Sequence, residues 1–223
     1  MMKTFVVILG GGVGTRMESQ MLKQFIPIVD KPIIMHTIQK FRDFDPKMEI
    51  IVVLPEAHIA LWKDLCNEFK FDIEYQLVRG GKERFYSVKN ALERIPDNEL
   101  VMIHDGVRPL VSHESIDRVR QCAIEKGNAI PYVDINESIR KVSKGKSNSV
   151  NRDNFKIIQT PQAFKSELIK AAYQQKYRKS FTDDASVLEA DGHQIELVYG
   201  NLKNIKITRP IDLSVAEGFM LGD

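Results

Sequence analysis

Cysteine is scarce in this 223-residue chain: Cys66 and Cys122 are the whole complement, and neither belongs to a CxxC. A disulfide-stapled scaffold is thereby excluded, and the two thiols read as reduced residues in segments of helical pattern. There is no HExxH and no cysteine–histidine cluster for zinc. GxSxG is missing, which removes the nucleophile elbow of Ser-His-Asp hydrolases. No apolar run approaches ~18 residues, so no membrane span is expected. The opening MMKTFVVILGGG has one lysine and a short apolar run. A signal peptide needs a longer apolar region and a small-residue cleavage site, so a first β-strand explains the run better and a cytoplasmic location is expected. Charge of one sign is lacking too: the net charge is +2, far short of a nucleic-acid binder. Lys144-Gly145-Lys146 reads as a solvated turn.

What is present is ordinary globular material, 43% hydrophobic and 28% charged. It supplies a full core for one domain over residues 1–223. Apolar runs and helical stripes alternate. KTFVVILG, EIIVVLP (49–55), DIEYQLV (72–78) and LVMIH (100–104) read as buried strands. Residues 31–44, 56–69 and 83–95 carry apolar residues at helical spacing between them. Ser112 is placed to cap a further helix, although Ser115 stands where a capping-box glutamate would. This order predicts an α/β fold with a mostly parallel sheet and helices on both faces.

Beyond about residue 128 the pattern changes. NAIPYVDI and SIRKVS read as strands, with KGKSNS as a polar turn. The spacing predicts a projecting β-arm over 134–152, which cannot bury both faces alone and so points to a partner subunit. Residues 165–178 and 184–191 read as helices, with Thr182 as the cap of the second and Asp183 and Asp184 in its first turn, where the helix dipole favours carboxylates. IELVYG and NIKIT read as strands, and Pro210 opens a last helix.

Ligands of such sheets bind beyond the carboxyl ends of the strands, and the unusual residues fall there. Gly10, Gly11, Gly12 and Gly14 follow the first strand, then Arg16 and Lys23. Glycines let backbone N–H groups approach an anion, and the two cations supply charge, so the stretch points to polyphosphate. It is not a Walker A loop, because Thr15-Arg16 stands where Lys and Ser or Thr would follow the last glycine. A dinucleotide loop is disfavoured by Thr15 at its sixth position and by Leu54-Pro55 where an acidic residue would end the second strand. Gly80-Gly81 follow the third strand, with Ser87 one turn into the next helix. Asp105 and Arg108 follow the fourth. A carboxylate there suits Mg²⁺, and a local Asp105–Arg108 ion pair is the plainer alternative; the two can coexist. Arg152, Thr160 and Lys206 add polar groups, the last on the face of NIKIT opposite Ile205 and Ile207.

With these pieces in order, the chain resembles the 2-C-methyl-D-erythritol 4-phosphate cytidylyltransferase (IspD) family nearly end to end. Gly10-Gly11-Gly12-Val13-Gly14-Thr15-Arg16-Met17 is similar to that family's A-A-G-x-G-x-R-M. Leu22-Lys23-Gln24 stands at its P-K-Q, and Gly80-Gly81-x-x-Arg84-x-x-Ser87-Val88 at its G-G-x-x-R-x-x-S-V. His104 to Pro109 matches H-D-A-A-R-P. Arg152-Asp153, Gln159-Thr160-Pro161-Gln162, Thr182 to Ser186 and Asn204 to Pro210 fall in register. Gly10-Gly11 replace two alanines, Leu22 replaces a proline, and Glu137-Ser138-Ile139-Arg140 stands where D-T-I-K is usual. Ribitol-5-phosphate cytidylyltransferase shares these motifs and remains an alternative, as does a non-catalytic nucleotide sensor on the same fold.

The resemblance implies a Rossmann-like sheet of the nucleotide-diphospho-sugar transferase type. It implies CTP and a polyol phosphate as substrates, Mg²⁺ as cofactor and a homodimer through the arm. Arg16, Lys23 and Lys206 would then be catalytic. Gly10, Gly11, Gly12, Gly14, Gly81, Ser87 and Asp105 would bind the nucleotide, with Asp105 also on the metal. Arg152 and Thr160, with Ser138 and Arg108 from the neighbouring subunit's arm, would hold the polyol phosphate. Neither nucleic acid nor membrane is an implied partner.

Overall fold

The computed structural model describes residues 2–11 and 22–222. Its strands are β1 (Thr4–Leu9), β2 (Pro27–Ile28), β3 (Lys31–Pro32), β4 (Glu49–Leu54), β5 (Gln76–Arg79), β6 (Leu100–Asp105), β7 (Asn128–Asp134), β8 (Arg140–Ser143), β9 (Lys146–Ser149), β10 (Lys156–Ile158), β11 (Gln162–Lys165) and β12 (Leu197–Tyr199). The helices are α1 (Ile33–Phe44), α2 (Ile59–Glu68), α3 (Arg84–Leu92), α4 (His113–Lys126), α5 (Ser166–Ala172), α6 (Asp184–Glu189) and α7 (Pro210–Leu221).

One eight-stranded sheet runs β10-β7-β11-β6-β1-β4-β5, with β12 also paired to β7. β6, β1, β4 and β5 are mutually parallel, and β12 runs parallel to β7. β11 is antiparallel to both β6 and β7, and β10 is antiparallel to β7. The sheet is therefore mixed around a parallel core, as an α/β chain of this pattern should be. Alternation along β1 sends Val6 and Ile8 to one face, against Ile34, Ile38, Trp62 and Ile116. Val7 faces the other way, towards Val88, Leu92, Ile169 and Leu188. Helices thus cover both faces.

Ser112 caps α4 by accepting the Ser115 N–H at 3.2 Å, and Gly127 closes that helix with φ +97°. Lys144 and Gly145, at φ 50° and 74°, make the two-residue turn between β8 and β9. The hairpin is present where an arm was expected, and all eight of its strand residues are exposed. Its turn is narrower than KGKSNS, because Lys146–Ser149 pairs back onto Arg140–Ser143.

Other boundaries move for identifiable reasons. α1 starts at Ile33 because Lys31-Pro32 pairs with Pro27-Ile28. NIKIT forms no ladder; beside local turn bonds, Ile207 N–H ties its backbone to the Val107 carbonyl at 3.0 Å. The expected alternation survives nonetheless, with Ile207 fully buried and Lys206 facing outward. Asp183, not Thr182, caps α6: its carboxylate accepts the Ser186 N–H at 2.9 Å, and Ser186 Oγ accepts the Asp183 N–H. β10 and β11 were not anticipated.

Candidate active site

The carboxyl ends of β1, β4, β5 and β6 open into a cleft of about 290 Å³. Gly10 continues the ladder past β1, its N–H on the Val53 carbonyl at 2.9 Å. A Cβ there would lie 2.5 Å from Leu54 Cδ2. On the opposite wall, Gly80 N–H reaches the Leu54 carbonyl at 2.8 Å, and a Cβ on Gly81 would lie 2.3 Å from that of Tyr86. Tight packing thus requires Gly81, whereas a Cβ at Gly10 would have to displace the end of the Leu54 side chain. Gly11 meets no such neighbour and is exposed in the cleft. Ser87 holds the second loop in shape: Oγ accepts the Gly81 N–H at 3.0 Å and donates to the Glu83 carbonyl at 3.2 Å.

Asp105 ends β6 at the cleft floor. Its Oδ2 receives Arg108 Nε at 3.0 Å and Lys206 Nζ at 3.1 Å. Burial alone would raise its pKa, but Lys206, Arg108 and Arg84 outweigh burial and hold the carboxyl well below the usual range. The turn that follows is pinned at every carbonyl. Asp105 C=O accepts Arg108 N–H at 3.1 Å, Gly106 C=O accepts Thr37 Oγ1 at 3.0 Å, and Val107 C=O accepts Ile207 N–H. Arg108 C=O takes His104 Nε2 at 3.1 Å. The Ile207 contact places Lys206 opposite Asp105, and Asn204 reinforces it by donating to the Thr160 carbonyl at 2.8 Å.

Lys82, Lys23 and Arg84 also line the cleft. Lys23, in a short 3-10 turn over Lys23–Phe25, is nine-tenths buried. Its neighbour Gln24 is anchored by donating to the Gly10 carbonyl at 2.6 Å. Arg84, at the start of α3, is clamped by both oxygens of the fully buried Asp184, at 2.7 and 2.5 Å. Asp184 also accepts the Tyr173 hydroxyl at 2.6 Å, and Gln162 Oε1 accepts the first amides of α6. Burial opposes the charge on Arg84, and Asp184 more than restores it.

Gly10, Gly11, Lys23, Gly81, Ser87, Asp105 and Lys206 are therefore brought together, as the sequence led one to expect. Gly12, Gly14 and Arg16 lie outside the described residues. Arg108 belongs to the β6 turn of its own chain, not to the arm; its guanidinium is spent on Asp105 and on the Asn204 carbonyl at 2.8 Å. Thr160 stands behind Asp105 rather than on the cleft wall, its hydroxyl between Asp105 N–H and His104. Ser138 and Arg152 are exposed and away from the cleft lining. Arg152 donates to the Asn136 carbonyl at the base of the arm.

Arg84, Asp184 and Gln24 were missed as site residues. Arg84 sat inside a quoted motif, but nothing local tied it to a carboxylate 100 positions away. Among the described residues no group of three or more His, Cys, Asp or Glu side chains is poised for a metal. Asp105 Oδ1, which makes no hydrogen bond among those residues, suits a divalent ion delivered on a polyphosphate, since Mg²⁺ needs only one or two carboxylates beside phosphates and water. Among the described residues the cleft lining holds no histidine. Several cations, a carboxylate at the floor and close backbone suit phosphoryl chemistry driven by charge stabilisation.

Comparison with known proteins agrees. The model of the family described as 2-C-methyl-D-erythritol 4-phosphate cytidylyltransferase (IspD) matches residues 4–222. A protein of that name from Phocaeicola vulgatus is 47% identical over 216 residues, covering 97% of this chain and 99% of its own. Another, from Bacillus velezensis, is 37% identical over 223 residues, covering 98% and 96%. The solved 4-diphosphocytidyl-2C-methyl-D-erythritol synthase of Anaerococcus prevotii superposes with TM-score 0.83 at 25% identity, covering 99% of this chain and 96% of that one. The Francisella tularensis cytidylyltransferase structure gives 0.79 at 29%, covering 96% and 98%. No helix among the described residues is long and apolar enough to cross a membrane.

Proposed function

The chain belongs to the 2-C-methyl-D-erythritol 4-phosphate cytidylyltransferase family, and from that premise we propose how its cleft works. The enzyme transfers a cytidylyl group from CTP to 2-C-methyl-D-erythritol 4-phosphate. The products are 4-CDP-2-C-methyl-D-erythritol and pyrophosphate, a step of non-mevalonate isoprenoid precursor synthesis. The observation that carries the reading is the convergence of Lys23, Arg84 and Lys206 on one cleft around Asp105.

A phosphate oxygen of the polyol substrate attacks the α-phosphorus in line, and pyrophosphate leaves opposite. The nucleophile is a phosphate monoester with a second pKa of ~6, so it is largely dianionic at neutral pH and needs no base. A cleft whose described lining holds no histidine is suited to that chemistry. Several anions must meet, so catalysis is positioning plus electrostatic stabilisation. Lys23, with Arg16, neutralises the triphosphate and the charge that builds in the transition state. Lys206 faces the α-phosphate. Backbone at Gly10, Gly11 and Gly81, with Ser87, holds cytosine and ribose, joined by Gly12 and Gly14. Asp105 would hold Mg²⁺, which when bound would supply positive charge to the phosphates.

Ser138 and Arg152 complete the polyol-phosphate site from a second subunit. Apolar exposure supports that dimer: Val142 on the arm is 71% exposed, and Ile157 and Leu197 are also exposed on β10 and β12. Residues 1–223 act as one nucleotidyltransferase domain, supported by a single sheet built from residues 4 to 199. Free Cys66 and Cys122 are compatible with a reducing cytoplasm. The test is Mg²⁺-dependent pyrophosphate release from CTP, with methylerythritol 4-phosphate and ribitol 5-phosphate in parallel. Release with the first alone is expected; release with ribitol phosphate alone, or with neither, overturns the reading.

A further inference from the structure

His104 lies directly behind the carboxylate yet takes no part in the scheme above. It is fully buried, edge-on to Phe41 with ring centroids 4.9 Å apart. Nε2 stands 3.1 Å from the Arg108 carbonyl, and Nδ1 stands 3.0 Å from Thr160 Oγ1. A carbonyl oxygen can only accept, so Nε2 carries the proton. Nδ1 is then a bare acceptor and takes the Thr160 hydroxyl proton. With its single proton committed, Thr160 Oγ1 can only accept from Asp105 N–H, which it does at 3.1 Å. One directed chain of bonds therefore runs from the Asp105 amide through Thr160 and His104 to the Arg108 carbonyl. It starts and ends on the two residues of the acid–guanidinium pair.

A protonated ring would reverse the Nδ1–Thr160 bond, making the hydroxyl accept from both neighbours and releasing its proton from the chain. Of the donors that pin the carbonyls of the 105–108 turn, His104 alone also reaches back to the amide at its start.

We infer that His104 is a positioning residue for the transfer reaction, acting through Thr160 and the Arg108 carbonyl to fix where the Asp105 carboxylate and Arg108 guanidinium point. It touches no substrate. The kinetic part of its test rests on the cytidylyl-transfer reading; the spectroscopic part does not.

The first measurement is ¹⁵N NMR of the imidazoles in the wild-type protein. His104 should show a protonated Nε2 and a bare Nδ1 at neutral pH. A cationic ring or an Nδ1–H tautomer overturns the relay. The second is kcat per CTP-binding site, with sites counted by calorimetry. His104→Phe keeps the ring's bulk and removes both nitrogens, while Thr160→Val keeps the shape and removes the hydroxyl. Each should lower kcat per site by ~10-fold or more, since small misplacements of reacting groups are costly. Thr160→Ser should recover most of the loss seen in Thr160→Val. A drop in the number of sites with unchanged kcat per site marks a merely structural role and overturns the proposal. If His104→Phe does not fold, Thr160→Val and the wild-type spectrum decide. Wild-type protein that turns over neither polyol phosphate would sink the cytidylyl-transfer reading and leave the tautomer result standing on its own.

Discussion

Lys206 Nζ and Arg108 Nε share a single oxygen, Asp105 Oδ2, at 3.1 and 3.0 Å. Arg108 is almost fully buried and is tied down again by the Asn204 carbonyl, whereas the Lys206 side chain is 41% exposed. Of the two cations, Lys206 is therefore the one that the proposed mechanism turns towards an incoming α-phosphate. Lys206→Met should therefore lower kcat by ~10²-fold while changing thermal stability little, since a half-exposed ion pair contributes ~1 kcal/mol or less. Steady-state kinetics beside a melting curve check this. A variant with near-normal kcat would remove Lys206 from the reaction.

Lys23 is nine-tenths buried on the opposite wall of the cleft. If it acts mainly on charge that builds as pyrophosphate leaves, Lys23→Ala should lower kcat by ~10²-fold or more. An effect confined to KM for CTP would mean that it only binds the ground state.

The Arg84–Asp184 clamp makes a different prediction, because here the carboxylate is fully buried and bidentate. Asp184→Ala strands the guanidinium and the Tyr173 hydroxyl and should cost about 3 kcal/mol of stability. It should also raise KM for CTP, since Arg84 loses its fixed place in the cleft. Urea denaturation that moves by less than ~1 kcal/mol would show that the clamp is not what holds α6 to α3.

Strand ends were legible in the sequence because each marked itself. Leu9-Gly10, Arg79-Gly80-Gly81 and His104-Asp105 are changes of residue type at the end of an apolar run, and period-2 alternation placed Lys206 correctly even though NIKIT forms no ladder. What could not be read was contact at long range. β11 is four residues, QAFK, too short to show a period, and its place between β6 and β7 depends on pairing partners far away in sequence. Asp184 looked like a helix-terminal carboxylate, which it is; its grip on Arg84 follows only from how α6 packs beside α3. The Asp105–Arg108 pair was legible from its i,i+3 spacing, but Thr160 looks like a surface polar group in a linear chain and only burial turns it into a support for Asp105.

Two acid-side windows follow from the buried groups. The folded His104 pKa of about 4 lies below the unfolded value of ~6.5, so its contribution is complete above about pH 6.5 and is lost as pH falls towards 4. At ~1.4 kcal/mol per pH unit that amounts to about 3 kcal/mol at most. His36, whose pKa burial also lowers, adds in the same direction. Asp105, held below the usual carboxylate range, contributes fully above about pH 5 and loses its share only as pH falls further. Unfolding free energies at pH 7, 5.5 and 4.5 should therefore fall in the wild type, and the gap to His104→Phe should narrow as pH drops. A gap that stays constant would mean that His104 is not held neutral by the fold.

The remaining prediction concerns the arm. Arg152 is exposed, donates to the Asn136 carbonyl and stands away from its own chain's cleft. Nothing it contacts among the described residues explains a free guanidinium face, whereas a dimer built on exposed Val142, Ile157 and Leu197 would carry it to a neighbouring site. Arg152→Ala should then raise KM for the polyol phosphate ~10-fold or more and leave KM for CTP unchanged, because a lost charge-assisted phosphate contact costs about 1.5–3 kcal/mol. Mixing Arg152→Ala protein with an inactive Lys23→Ala protein tests the same geometry independently. If the arm acts across the interface, heterodimers hold one site with both defects and one with neither, so activity rises above the sum of the two parents. Activity that merely adds would place Arg152 in its own subunit's site.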